Sequence, residues 1–195
     1  MIISLCGFMG TGKTGVGKAL AATLEKKGYP FELIDLDSYI ESKHGCTVSE
    51  LFTAKGEAFF RDEEYHSLVE ITDRKKNTIL SLGGGTPTFE RCNRIIKEKT
   101  TCIYLDCTVG ELAYRLVGTA SKRPLVAKAM MDGVTGKYRP TKEERLKNLE
   151  RWVAEALEKR APWYIKCSSF SVESTVWDKP AIVSEIIRQL KQRKG

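Results

Sequence analysis

The first fourteen residues constrain everything that follows. Ile2-Ile3-Ser4-Leu5-Cys6 is a short apolar run, the pattern of a strand buried on both faces. It leads into Gly7-x-x-x-x-Gly12-Lys13-Thr14, after which Val16, Leu20 and Leu24 recur at helical spacing. Strand, glycine turn, helix is the setting in which the G-x-x-x-x-G-K-[ST] pattern folds backbone N–H groups around phosphate oxygens. The helix N-terminus adds partial positive charge there. Lys13 is placed to reach the β- and γ-phosphates of a nucleoside triphosphate, and Thr14 to offer its hydroxyl to Mg²⁺. An ordinary glycine-rich turn accounts for the flexibility but not for the Lys-Thr pair at this spacing. The motif says nothing about a second substrate.

The rest of the chain alternates in type. Strand patterns occur at "FELIDLD", "TILSL", "TCIYLDC" and "SSFSVES". Between them lie helical patterns: "SYIESKHG", "TVSELFTAKG", "GEAFFRDEEYHSLVEITDRKK", "PTFERCNRIIKEK", "TVGELAYRLVG" and "KPAIVSEIIRQLKQRK". Thr108 with Glu111 three residues on predicts a capping box. Five strands alternating with helices predict an α/β fold with a five-stranded parallel sheet covered on both faces. Residues 118 to 141, rich in Gly, Lys, Met and Pro, break the pattern and read as loop. The 195 residues fit one domain, 1–195.

Composition excludes several classes. No run of eighteen apolar residues exists, so no membrane span is expected. The strand begins at residue 2, leaving no room for a signal peptide. The six cysteines, at 6, 46, 92, 102, 107 and 167, form no C-x-x-C pair and read as reduced thiols of a cytoplasmic protein. The net charge of +7 is interleaved with acids along helix-like segments. That suits small anionic substrates better than a nucleic-acid footprint.

In a sheet of this kind ligands sit beyond the carboxyl ends of the strands. Asp35 and Asp37 end "LIDLD", two residues apart and so on one side of a strand. One carboxylate there suits the metal's waters, the other a proton acceptor; alternatively Asp37 caps the following helix. Gly83-Gly84-Gly85 follow the third strand and expose backbone for close approach, or merely turn the chain. Arg61 follows two phenylalanines, Arg123 edges the irregular stretch in "KRPL", and Arg160 stands at a helix end before Pro162. Singly each reads as a surface arginine. Together they supply planar forks for carboxylate or phosphate.

The ordered set "GFMGTGKT", "LIDLD", "GEAFFR", "LSLGGG", "KRPL" and "KRAPWY" resembles shikimate kinase over nearly the whole chain. The resemblance implies transfer of the ATP γ-phosphate to the 3-hydroxyl of shikimate with Mg²⁺, in aromatic amino-acid biosynthesis. It implies the strand order 2-3-1-4-5, a mobile lid over about 118–141, a shikimate-binding helical region over about 37–61, and a monomer in the cytoplasm without nucleic-acid or membrane partners. By motif, Gly10, Thr11, Gly12, Lys13, Thr14 and Gly15 hold the ATP phosphates, with Thr14 and, through water, Asp35 at the metal. Asp37 resembles the shikimate-hydroxyl contact and base. Arg61 and Arg160 resemble the arginines that bind the shikimate carboxylate, and Gly83, Gly84 and Gly85 the shikimate-side loop. Arg123 resembles the catalytic lid arginine, Arg115 an adenine-side arginine, and the "WDKP" loop with Lys179 a further adenine-side element. The thirty-six residues between Arg123 and Arg160 exceed the family pattern and suggest an insertion. A gluconate-type or other small-polyol kinase, and a noncatalytic nucleotide-binding module, are the rival readings.

Overall fold

The computed structural model describes residues 1–131, 141–176 and 178–193. Five parallel strands, β1 (Ile2–Cys6), β2 (Glu32–Asp35), β3 (Thr78–Ser81), β4 (Thr101–Asp106) and β5 (Phe170–Glu173), form one sheet in the order β2-β3-β1-β4-β5. This is the expected order. The apolar first run becomes the central strand, with Ile3 paired to both Ile79 and Thr101. Successive side chains point to opposite faces, and the two faces carry separate cores. Ile3, Leu5, Ile79, Ile103 and Leu105 pack with Val16 and Leu20 of α1 (Lys13–Glu25) and Ile182, Val183 and Ile186 of α8 (Lys179–Gln192). Ile2, Cys6, Leu80, Cys102 and Tyr104 pack on the other side, under α2 (Leu36–His44), α3 (Val48–Thr72), α4 (Glu90–Lys99), α5 (Val109–Val117) and α7 (Lys142–Cys167).

Several local readings are corrected. "LIDLD" is not all strand: β2 ends at Asp35, which caps α2 by accepting from the Ser38 N–H, while Asp37 lies in the first helical turn. The cap is therefore Asp35 and not Asp37. Thr108 makes no side-chain cap bond; Glu111 instead accepts from Arg115 Nε at 2.7 Å, a charged partner being the stronger one. Capping boxes form at Thr47/Glu50 and Thr141/Glu144. The helical patterns either side of Gly56 join end to end around its left-handed backbone, φ 78°.

Arg160 is not at a helix end. α7 continues through Pro162 to Cys167. A proline inside a helix costs about 3 kcal/mol. Here Leu149 and Val153 before it and Tyr164 and Cys167 after it are all buried, and each large apolar side chain returns about 1.5–3 kcal/mol. Tertiary burial outweighs the local penalty. The stretch from 118 is also not simply loop: a 3₁₀ turn (Ala120–Lys122) and a short helix, α6 (Pro124–Ala129), occupy its first part. Val126 and, just past the helix, Met130 bury one turn apart in the core. Residues 132–140, which hold Gly133, Gly136 and much of the expected lid and insertion, lie outside the described residues.

Candidate active site

The phosphate loop is built by glycine backbone. Gly7 takes φ 140° and Gly12, which caps α1, takes φ 85°, conformations that side-chain-bearing residues rarely adopt. A Cβ on Gly7 would also fall 2.7 Å from the Leu105 carbonyl. Thr11 is buried and donates to the Phe8 carbonyl at 2.9 Å, bracing the loop from within. The Lys13 ammonium folds over the loop and donates to the carbonyls of Gly7 (2.9 Å) and Phe8 (3.0 Å). Thr14 Oγ1 donates to Asp35 Oδ2 at 2.6 Å and lies 3.1 Å from Ser81 Oγ. Two hydroxyls and a carboxylate at one point are hard oxygen donors, the set that suits a Mg²⁺ ion retaining several waters.

These groups line a cleft of about 330 Å³ beyond the strand ends. Of the expected residues, Gly10, Gly12, Lys13, Thr14, Gly15, Asp35, Asp37, Gly83, Gly84 and Arg123 line it together. Asp37 reaches the cleft from α2 although it left the strand. Burial, then the charges of Asp35 and Glu64, push its carboxyl up to about 6, with Lys13 opposing. Burial lowers the Lys13 ammonium to about 8; the charge of Asp37 works the other way, and Arg123 adds to the fall. The cleft thus pairs a carboxylate with raised proton affinity and a cation held at the edge of its charged range.

Gly83 is fixed by space. A Cβ there would meet Asp37 Oδ1 and Thr86 Oγ1 at 2.8 Å and Glu64 Oε1 at 3.0 Å. Glu64, only 1% exposed, is a site residue that the sequence reading missed. It accepts from Arg61 Nη1 at 2.6 Å and from Thr86 Oγ1. The signal was present: Glu64 lies three residues after Arg61 and so on the same helix face. Ser81 and Tyr164 were missed as well. The Tyr164 hydroxyl donates to the Gly84 carbonyl at 2.6 Å.

The carboxylate-binding candidates stand at the margin of this cleft rather than in its lining. Arg61 packs its guanidinium over Phe89, 4.6 Å from the ring centre, and against Gly85. Arg160 lies over Phe8, 5.5 Å from the ring centre, in a neighbouring groove with Trp152 and Lys159. The loop 83–85 joins the two, meeting Arg61 at Gly85 and Arg160's helical neighbour Tyr164 at Gly84. Arg115 and Lys179 are outside the lining. Arg115 donates to the carbonyls of Gly10, Ser174 and Thr175, tying the phosphate loop to the segment after β5. Lys179 opens α8 behind the Asp178 cap; Trp177 lies outside the described residues. No helix among the described residues is long and apolar enough to cross a membrane.

Known proteins resemble this chain in sequence and fold. The family model for shikimate kinase matches residues 9–191. A shikimate kinase of Chlorobium limicola is 35% identical over 99% of this chain and 92% of its own length. One of Dictyoglomus turgidum is 36% identical over 97% and 96%. The crystal structure of shikimate kinase from Bacteroides thetaiotaomicron superposes with TM-score 0.79 at 31% identity, covering 98% of both chains. The solved structure of Acinetobacter baumannii shikimate kinase in complex with shikimate gives a TM-score of 0.77 at 28% identity, over 99% of this chain and 94% of that one.

Proposed function

The chain belongs to the shikimate kinase family, and on that premise we propose that it transfers the γ-phosphate of ATP to the 3-hydroxyl of shikimate, releasing ADP. One observation carries the reading: Lys13 of the phosphate loop and Asp37, the carboxyl raised to about 6, line the same cleft. At neutral pH Asp37 is ionised yet a better proton acceptor than an ordinary aspartate. It takes the proton of the attacking hydroxyl as the oxygen–phosphorus bond forms and the bond to the β-phosphate oxygen breaks. Lys13, whose ammonium rests on loop carbonyls, exchanges those neutral acceptors for phosphate oxygens, and Arg123 brings a second positive charge to the transferring group. Thr14 and Asp35, the latter through water, are the residues that would hold Mg²⁺, which when bound offsets charge on the β- and γ-phosphates.

The acceptor is gripped from the other end. Arg160 and Arg61 bind the shikimate carboxylate, with Glu64 fixing Arg61 and the Gly83–Gly85 backbone lying against the ring. Arg115 and Lys179 stand on the adenine side. An ADP-release assay with shikimate and, separately, gluconate tests the whole reading. Turnover with shikimate at least about a hundredfold faster is expected. Equal rates would point to a general polyol kinase, and no turnover with either to a noncatalytic nucleotide-binding module.

A further inference from the structure

Three of the six cysteines meet at a point that phosphoryl transfer does not use. Cys6 is the last residue of β1, Cys102 the second of β4 and Cys167 the last of α7. They are 0%, 0% and 2% exposed. Their three sulfur atoms all lie within 4.8 Å of one another, and Cys102 Sγ is 4.0 Å from Cys167 Sγ. None is in a disulfide. Three thiolates at about 2.3 Å around one ion in a trigonal arrangement have sulfurs about 4 Å apart. One pair of sulfurs has this spacing before any ion is added, and the other two pairs are no farther apart than 4.8 Å.

We propose that Cys6, Cys102 and Cys167 form a buried binding site for a thiophilic d¹⁰ cation of the Zn²⁺ class, clamping β1, β4 and α7 together. One further feature fits a cation. The Tyr164 carbonyl lies 3.5 Å from Cys167 Sγ and 4.0 Å from Cys6 Sγ, an oxygen within reach of a fourth position. Soft sulfur donors select such ions over Mg²⁺, so the site and the phosphate cleft do not compete for one metal. Buried cysteines often serve only as small apolar packing, as Cys92 does in the same core. Packing alone gives no reason for three sulfurs, drawn from residues 6, 102 and 167, to converge on each other.

Binding breaks three S–H bonds and makes three S–metal bonds, with three protons released and no oxidant required. With Zn²⁺ the centre carries a charge of −1, near the Lys97 ammonium, which acts on Cys167. The site has leverage on the cleft from both sides. Cys6 adjoins Gly7 of the phosphate loop, and Cys167 is two helical turns from Arg160. Because the three thiols are buried, uptake requires brief opening of the α7 end and is slow.

The test uses the full-length, tag-free, reduced protein and Zn²⁺ against a chromophoric chelator. One equivalent bound is expected, with an X-ray absorption shell of three sulfurs at about 2.3 Å and a rise in thermal midpoint of several degrees. Cys102→Ala and Cys167→Ala should each weaken binding at least about a hundredfold, while Cys46→Ala, at the half-buried thiol outside the trio, should leave it unchanged. Failure to take up one equivalent, a shell of nitrogen and oxygen only, or unchanged binding in Cys102→Ala would overturn the proposal. The absorption measurement needs only the unmutated protein, so it decides the matter even if the core variants do not fold.

Discussion

The two ends of the cleft are built by opposite means. The phosphate end comes from one contiguous stretch, Gly7 to Thr14, with its key contacts only a few residues apart: Lys13 to Gly7 and Phe8, Thr11 to Phe8. The proposed acceptor end draws on α2, α3, the loop after β3 and α7, through contacts such as Tyr164 to Gly84, eighty residues apart. The first is a backbone device, set by φ angles and a helix N-terminus. The second is a side-chain device, held by packing. Mutations should therefore act differently at the two ends: charge loss at the phosphate end should appear in turnover with the fold intact, and at the acceptor end in substrate affinity and, where partners are buried, in stability.

The largest expected effect is at the phosphate end. Lys13→Ala should leave the far-ultraviolet circular dichroism unchanged and lower kcat by roughly 10³-fold or more, since a fixed positive charge on the transferring phosphates is gone. Near-normal turnover in the folded variant would remove the phosphate loop from the mechanism. Arg123→Ala comes next, with kcat lower by about 10³, the low end for an arginine acting on a transferring phosphoryl group. ATP should still bind by calorimetry; loss of ATP affinity instead would make Arg123 a ground-state contact.

Asp37 sits where the two ends meet. Asp37→Asn keeps the shape and removes the proton acceptor, so kcat should fall roughly 10²–10³-fold. A raised KM for shikimate with unchanged kcat would reduce Asp37 to a binding group. At the acceptor end proper, Arg160→Ala should raise the shikimate KM about a hundredfold and the ATP KM hardly at all, the loss of a charge-assisted pair being worth about 1.5–3 kcal/mol. Arg61→Ala should share that substrate defect and add instability. Its partner Glu64 is 1% exposed, and stranding a buried charge costs on the order of 3–5 kcal/mol. If Arg61→Ala melts like the unmutated protein, packing does not hold the acceptor end as described.

The smallest effect is a stability difference whose sign separates function from folding. The Asp37 carboxyl is raised from 3.8 to about 6 in the fold, so its protonated form is the one the native state prefers. That contribution is fully present below pH 4 and is lost as pH rises through about 6. Asp37→Asn should thus melt a few degrees higher than the unmutated protein at pH 8, with the gap closing below pH 4. An active-site carboxylate held at a cost to stability predicts that direction; a lower melting point at pH 8 would mean that Asp37 is a structural anchor.

The sequence by itself determined the features that depend on neighbours along the chain. The central strand, the phosphate loop and the alternation of strands and helices follow from apolar periodicity and from glycines whose φ values other residues avoid. Asp35 and Asp37 were legible as a pair of carboxylates, but which of them capped the helix was not, because strand end and helix start differ by a residue or two in any reading of periodicity. Pro162 read locally as a helix stop, and only the burial of Tyr164 and Cys167 beyond it carried α7 onward. The raised carboxyl of Asp37, the bond from Thr86 to the buried Glu64, the bond from Tyr164 to Gly84 and the convergence of Cys6, Cys102 and Cys167 were decided by tertiary structure alone. Each depends on desolvation or on contact between separate elements, and neither is a property of a residue's neighbours in the chain.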